Sequence, residues 1–238
     1  MKSFKTIIAA GLLLAATQST YALEKLVAVE SAAEHNTLTW ISQYYKNPQP
    51  EKLVQRAYIL SQMGYFEGEG QPAQAVGFFA SIFAQHPEKV DAWIASLRGL
   101  PEKHQRLMAA AAWLAGQPRG ESRLQELAGG SVVLADLLSQ KPTSLARESV
   151  QSESSMYMQW GAFLATGKDS HIVAILTAVG EKTPGLAESA RLSLAMNAAQ
   201  DERVLEICQA QLDKQPKEVR DVMRAALNDA ATGKTPAS

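Results

Sequence analysis

The side chains able to do bond chemistry in this chain are few and scattered. They are four histidines (His35, His86, His104, His171), one cysteine (Cys208) and two Glu-Ser pairs, Glu121-Ser122 and Glu153-Ser154. A helix offers two imidazoles to one metal ion when they stand at i and i+3 or i+4, and no pair of these histidines is so placed. No His-Glu-x-x-His or Cys-x-x-Cys spacing occurs either, so neither a metal nor another cofactor is expected. His86 precedes Pro87 at a helix end, where an imidazolium can meet free carbonyls. Cys208 stands four residues from both Val204 and Leu212, on the apolar stripe of its helix, which reads as a buried thiol. Gly-x-Ser-x-Gly and Gly-x-x-x-x-Gly-Lys are both absent, which removes the nucleophile elbow and the phosphate cradle. Glu67 and Glu69, in a loop with Gly68 and Gly70, could face Ca²⁺, but two carboxylates are too few ligands.

Acid chemistry is the sharper enzymatic possibility. One glutamate held protonated in an apolar cleft can protonate a glycosidic oxygen, and Glu121 or Glu153 could take that part. Glu153-Ser154 with Met158-Gln159 downstream is similar to a pattern of peptidoglycan lytic transglycosylases, helical enzymes with one catalytic glutamate. The spacing departs from theirs, and Tyr157 stands where they carry glycine before Met-Gln. Glu153 also suits the first turn of a helix, where a carboxylate meets the positive end of the dipole.

Aromatic residues are the candidates for binding. Phe79 and Phe83 are spaced i, i+4 and belong to a core, but Phe78 cannot share their face. Tyr44 and Tyr45 are likewise adjacent, so one of each neighbouring pair is expected at the surface. Exposed rings on a helical array anchor peptide or protein partners. The candidate binding residues are therefore Tyr44, Tyr45, Phe78 and Trp160.

The elements that must position them read as helices throughout. Ala, Leu, Gln, Glu, Lys and Arg dominate, and no period-two run of β-branched residues occurs. Prolines 48, 50, 72, 87, 101, 118, 142, 184 and 216 punctuate the chain, mostly where a helix should begin. Helices are expected over Thr37–Tyr45, Glu51–Tyr65, Ala73–Gln85, Glu88–Leu97, Glu102–Ala115, Glu121–Ala128 and Val132–Ser139. Five more follow over Ser154–Thr166, Ser170–Val179, Leu186–Ala199, Glu202–Lys214 and Glu218–Ala230. Phe66–Pro72 is expected as a loop, Asp169 and Asp201 as N-caps, and Gly167 as a left-handed helix end. Short connections between such helices imply antiparallel αα-hairpins, an all-α array or solenoid.

The first 22 residues have the form of a secretory leader: Lys2 and Lys5, an apolar run from Ile7 to Ala16, and Thr20-Tyr21-Ala22 before the cut. The expected divisions are a signal peptide at 1–22, a helical lobe at 23–139, a polar joint at 140–155, a second lobe at 156–231 and a frayed tail at 232–238. The apolar run is too short to span a membrane, and no cysteine near the cut could carry a lipid. The net charge is −1, and no block of basic residues occurs, which argues against nucleic acid as a partner.

One window resembles the tetratricopeptide repeat. With Pro87 as its closing proline, Ala75 and Phe79 fall on the small and aromatic positions of the second helix, and Phe66 on the late aromatic position of the first. Gln62 and Met63 replace the Leu-Gly pair, with Gly64 one place late, so the repeat is degenerate. Ser189–Pro216 repeats the hairpin outline. Trp160-Gly161-Ala162-Phe163-Leu164-Ala165-Thr166-Gly167-Lys168-Asp169, with Tyr44-Tyr45-Lys46-Asn47-Pro48, is similar to elements of uncharacterised exported bacterial helical proteins. Those resemblances imply an exported helical-repeat protein and bring no activity with them. The resulting expectation is a non-enzymatic module of the periplasm, or a secreted one, that binds an envelope protein or extended peptide. The alternative is a cell-wall-acting hydrolase or lytic transglycosylase using Glu121 or Glu153. A secreted ligand-binding or inhibitory protein is a third possibility.

Overall fold

The computed structural model describes residues 31–128, 145, 148–181, 183 and 185–231. The leader at 1–22, the helix expected at Val132–Ser139, part of the joint at 140–155 and the tail at 232–238 lie outside the described residues. Among the described residues every regular element is helical. The chain divides into two compact units between Ser42 and Gln43. In the first, residues 31–42 form helix α1, with the Thr37 hydroxyl donating to the carbonyl of Ala33 at 2.7 Å.

The second unit carries α2 (Leu53–Gln62), α3 (Gln71–Gln85), α4 (Val90–Ser96), α5 (Glu102–Leu114) and α6 (Pro118–Ala128). It continues with α7 (Glu153–Thr166), α8 (Asp169–Ala178), α9 (Leu186–Ala198), α10 (Glu202–Leu212) and α11 (Lys217–Ala231). Proline opens helical turns at 50, 72, 87 and 118, positions whose missing N–H would have had no helical partner. Phe66–Pro72, expected as a loop, instead holds a 3-10 turn at Tyr65–Glu67 and the start of α3.

Helix α3 is the centre of this unit. It packs against α5 and, most extensively, against α7, so every residue from Ala75 to Phe83 is buried. A helix apolar all round has no face to offer water. That corrects the expectation for Phe78, which is 0% exposed because α7 covers the side that a single stripe would leave open. Tyr44 is buried as well and meets Phe78 edge-on, ring centroids 5.3 Å apart. The ring chain continues through Phe79 to Phe66, and through Phe83 to Trp93.

Two glycines permit the α3–α7 contact. A Cβ at Gly77 would lie 2.0 Å from the carbonyl oxygen of Met158, and one at Gly161 would lie 1.9 Å from that of Gln74. Each glycine thus lies against the other helix's backbone. The signal present in the sequence is a small-residue row on each helix, Ala73-Gly77-Ser81 and Gly161-Ala165, which is the spacing of one helix face.

The second core gathers Trp160, Phe163, Ile172, Ile175, Leu176, Leu194, Ile207, Cys208 and Met223. Burial pushes the Cys208 thiol up to about 12, in keeping with its place on an apolar stripe. Asp201 caps α10 as expected, Oδ1 accepting from the Arg203 N–H at 3.0 Å. It also accepts from the Tyr45 hydroxyl at 3.0 Å and pairs with Lys46 at 3.3 Å, tying the 3-10 turn at Tyr44–Lys46 to α10. Asp169 is not a cap: it is the first residue of α8 and pairs with Arg203 at 2.5 Å. Replacing Asp201 by Ala removes a cap and the acceptor of a part-buried hydroxyl, and should cost about 2 kcal/mol. Urea unfolding of Asp201→Ala against Asp201→Asn, which keeps a capping oxygen, reads this directly.

Candidate functional site

Where α3, α5 and α7 end and α8 begins, a cavity of about 360 Å³ opens. Ala80, Ser81, Leu145 and His171 line it and are themselves buried, forming its floor; Ala84, Gln85, Gly116 and Lys168 line it and are exposed, forming its rim. Local sequence explains the convergence. A reciprocal Ser152–Ser155 capping box starts α7. Gly167 ends it at φ 64°, donating to the carbonyl of Phe163 at 2.7 Å. The left-handed residue reverses the chain within two positions, so α8 brings His171 back toward Gln159.

The floor is ordered by a buried amide. Gln159 Nε2 donates to the carbonyls of Leu145 at 2.8 Å and Glu148 at 3.0 Å. A flipped amide would set its oxygen against two carbonyl oxygens, so the orientation follows from the partners. Gln159 Oε1 is then the atom 2.7 Å from His171 Nδ1. Because that oxygen can only accept, Nδ1 carries the proton. Nε2 is left as a lone-pair acceptor, with no partner among the described residues, on a ring that lines the cavity. The imidazole is 3% exposed, and burial, with the nearby Lys168 charge, lowers its pKa to about 4. The Ser81 hydroxyl, also on the floor, likewise has no partner among the described residues, while its carbonyl accepts from Gln85 Nε2 at 3.0 Å.

A pH dependence follows. An unfolded imidazole takes up its proton near 6.5 and the folded one only near 4. Between those values the unfolded chain binds more protons, so stability falls as pH drops through the window and this group adds no further loss below it. The full loss from His171 is about 3 kcal/mol. Burial lowers the pKa of His104 too, acting with the same sign. Urea unfolding from pH 7 to pH 4 should show the decline, and His171→Gln, which keeps an amide donor, should flatten it.

A second cluster joins Ser61, His104 and Glu67. Ser61 Oγ is 2.7 Å from His104 Nδ1, and His104 Nε2 is 3.6 Å from Glu67 Oε1. The order resembles a serine, base and acid, but Lys103 holds the Glu67 carboxylate at 2.6 Å, and that hydrogen bond lowers its pKa. His104 is buried against Phe66, and none of the three residues lines the cavity above. A wider depression of about 450 Å³ beside Pro87, Asp91 and Arg119 is walled by solvent-facing side chains.

The aromatic candidates lie elsewhere and inside. Trp160 is buried and its indole N–H donates to Ser193 Oγ at 3.2 Å. Tyr45 is half-buried, tilted on Phe163, its hydroxyl committed to Asp201. With Tyr44 and Phe78 also buried, none of the four presents a free ring to solvent. Glu121 and Glu153 are exposed, Glu121 accepting from Gln125 Nε2 and Glu153 from the Ser189 hydroxyl. Neither sits in an apolar cleft of the kind that holds a glutamate protonated.

No described helix is long and apolar enough to cross a membrane. In comparison with known proteins the chain matches no family model, no curated protein and no solved structure.

Proposed function

We propose that this is a non-enzymatic binding module of the bacterial cell envelope that receives an extended peptide, or a segment of a partner protein, at the cavity between α3, α5, α7 and α8. The observation that carries the reading is a preformed cavity whose floor presents two polar atoms that no described residue satisfies. Both residues, His171 and Ser81, line the cavity, so a ligand that enters it can hydrogen-bond to them. Helix order supports a hairpin array resembling degenerate tetratricopeptide repeats. From α7 to α11 each helix packs on the next and on the next but one, as stacked hairpins do. The leader-like first 22 residues support the address, and N-terminal sequencing of the exported protein should begin at Leu23. Selection of displayed random peptides on the purified protein should yield a convergent family of micromolar ligands. Ala84→Trp, at the exposed rim, should abolish their binding with helicity unchanged. Peptides indifferent to that plug would place binding elsewhere. Cell-wall cleavage lost in Glu121→Gln or Glu153→Gln would replace this reading with the enzymatic one.

A further inference from the structure

We infer that the cavity is a receptor for a neutral, ring-bearing hydrogen-bond donor, and that a phenolic side chain of the tyrosine type is the ligand chemistry it fits. The inference rests on the binding reading above and names what the same site selects. Gln159 is locked by two backbone carbonyls, 2.8 and 3.0 Å away, and it in turn fixes the proton of His171 on Nδ1. The floor therefore presents an acceptor at Nε2, and the ligand must supply the hydrogen.

Charge narrows the class. Lys168 stands on the rim, and its ammonium disfavours a second cation entering beside it. An anion would be drawn to Lys168 at the rim, but on the floor it would face the Nε2 lone pair with only the Ser81 hydroxyl to donate. Neutral donors remain. The walls then select among these. Ala80, Ala84, Leu114 and Leu145 are apolar, so a ligand with many hydroxyls, such as a sugar, would leave most of them unpaired, which opposes binding. A planar apolar body with one polar tip meets both demands.

The two floor atoms decide the tip. A phenol hydroxyl donates to His171 Nε2 and also accepts from the Ser81 hydroxyl, whereas an indole N–H can only donate. Both are atoms without a partner among the described residues. Lys168, an ammonium on the rim, can donate to a carbonyl of the peptide that carries the ring.

The test uses the full protein labelled with ¹⁵N-histidine and two probes differing by one hydroxyl, N-acetyl-tyrosinamide and N-acetyl-phenylalaninamide. The tyrosine probe should bind at least tenfold more tightly. It should move the His171 Nε2 resonance from its free-acceptor position toward a hydrogen-bonded one, leaving His35 and His86 unmoved. This readout needs no mutation. His171→Phe should erase the tenfold preference, and Ala84→Trp should block both probes, with circular dichroism checking each fold. Equal affinity for the two probes, tighter binding of tyramine with its cation, or binding that leaves His171 unshifted would overturn the inference. If the probes fail this way while displayed peptides still require an open cavity, the binding module stands and only its ligand chemistry falls. If neither peptides nor probes bind, both fall together.

Discussion

Replacing Gly161 by Ala should destabilise the protein by at least about 3 kcal/mol, lowering its melting temperature by roughly 10 °C for a chain of this size. The reason is geometric. The new methyl would sit 1.9 Å from the carbonyl oxygen of Gln74, and a backbone atom cannot swing aside as a side-chain tip can. Relief requires α3 and α7 to separate, and that opens the most extensive helix contact of the unit. Gly77→Ala should behave alike, since its methyl would meet the Met158 carbonyl at 2.0 Å. A control separates this crowding from backbone strain. Gly64 has φ 70° and open space around its missing Cβ, so Gly64→Ala should cost only about 1–2 kcal/mol, the left-handed penalty. Thermal unfolding of the three variants side by side checks the ranking; a Gly161→Ala protein as stable as Gly64→Ala would refute the backbone contact.

Gln159→Leu should cost at least as much, about 4 kcal/mol, although it replaces a polar buried residue by an apolar one of similar size. Three polar groups lose their partner at once: the carbonyls of Leu145 and Glu148 and the Nδ1–H of His171. Each buried group left unsatisfied costs about 1–3 kcal/mol, partly recovered by the apolar gain. Gln159→Glu tests the direction of the bonds. Its oxygen would still accept from His171, yet it could not donate to either carbonyl, so it should fail almost as badly. Urea midpoints give the stabilities, and the histidine ¹⁵N spectrum shows whether His171 keeps its tautomer. Retention of that tautomer in Gln159→Leu would mean that something other than the amide sets it.

The parts of this structure legible in the sequence are those written within a turn or two of chain. Prolines at first turns, Gly167 as a left-handed stop and Asp201 as a cap depend on local backbone geometry. So does the stripe of Leu53, Ala57 and Leu60, all buried as the period of α2 implies. Cys208 on its apolar stripe reads correctly for the same reason. What is not legible depends on partners far away in sequence. One stripe of α3 already accounts for a core and leaves Phe78 spare; that a second helix covers its other side is decided by residues 153–166. Asp169 has a capping residue's chemistry, but Arg203, thirty-four positions on, holds its carboxylate. Gln159 and His171 show no motif spacing of the usual kind, and their pairing through a helix reversal gives the cavity its acceptor.

The crossing of α3 and α7 has a consequence in time. Helix α3 ends at Gln85 and its cover ends at Thr166, so synthesis at about 5–20 residues per second leaves roughly 4–16 s between the appearance of the two. Throughout that interval a fifteen-residue helix, rich in Phe and Ala, lacks the surface that will bury its second side. The late partner also demands a long closure before any contact is gained, which slows folding relative to a chain of local hairpins. Nascent chains halted before residue 153 should therefore be the forms most prone to self-association and most in need of a holding partner.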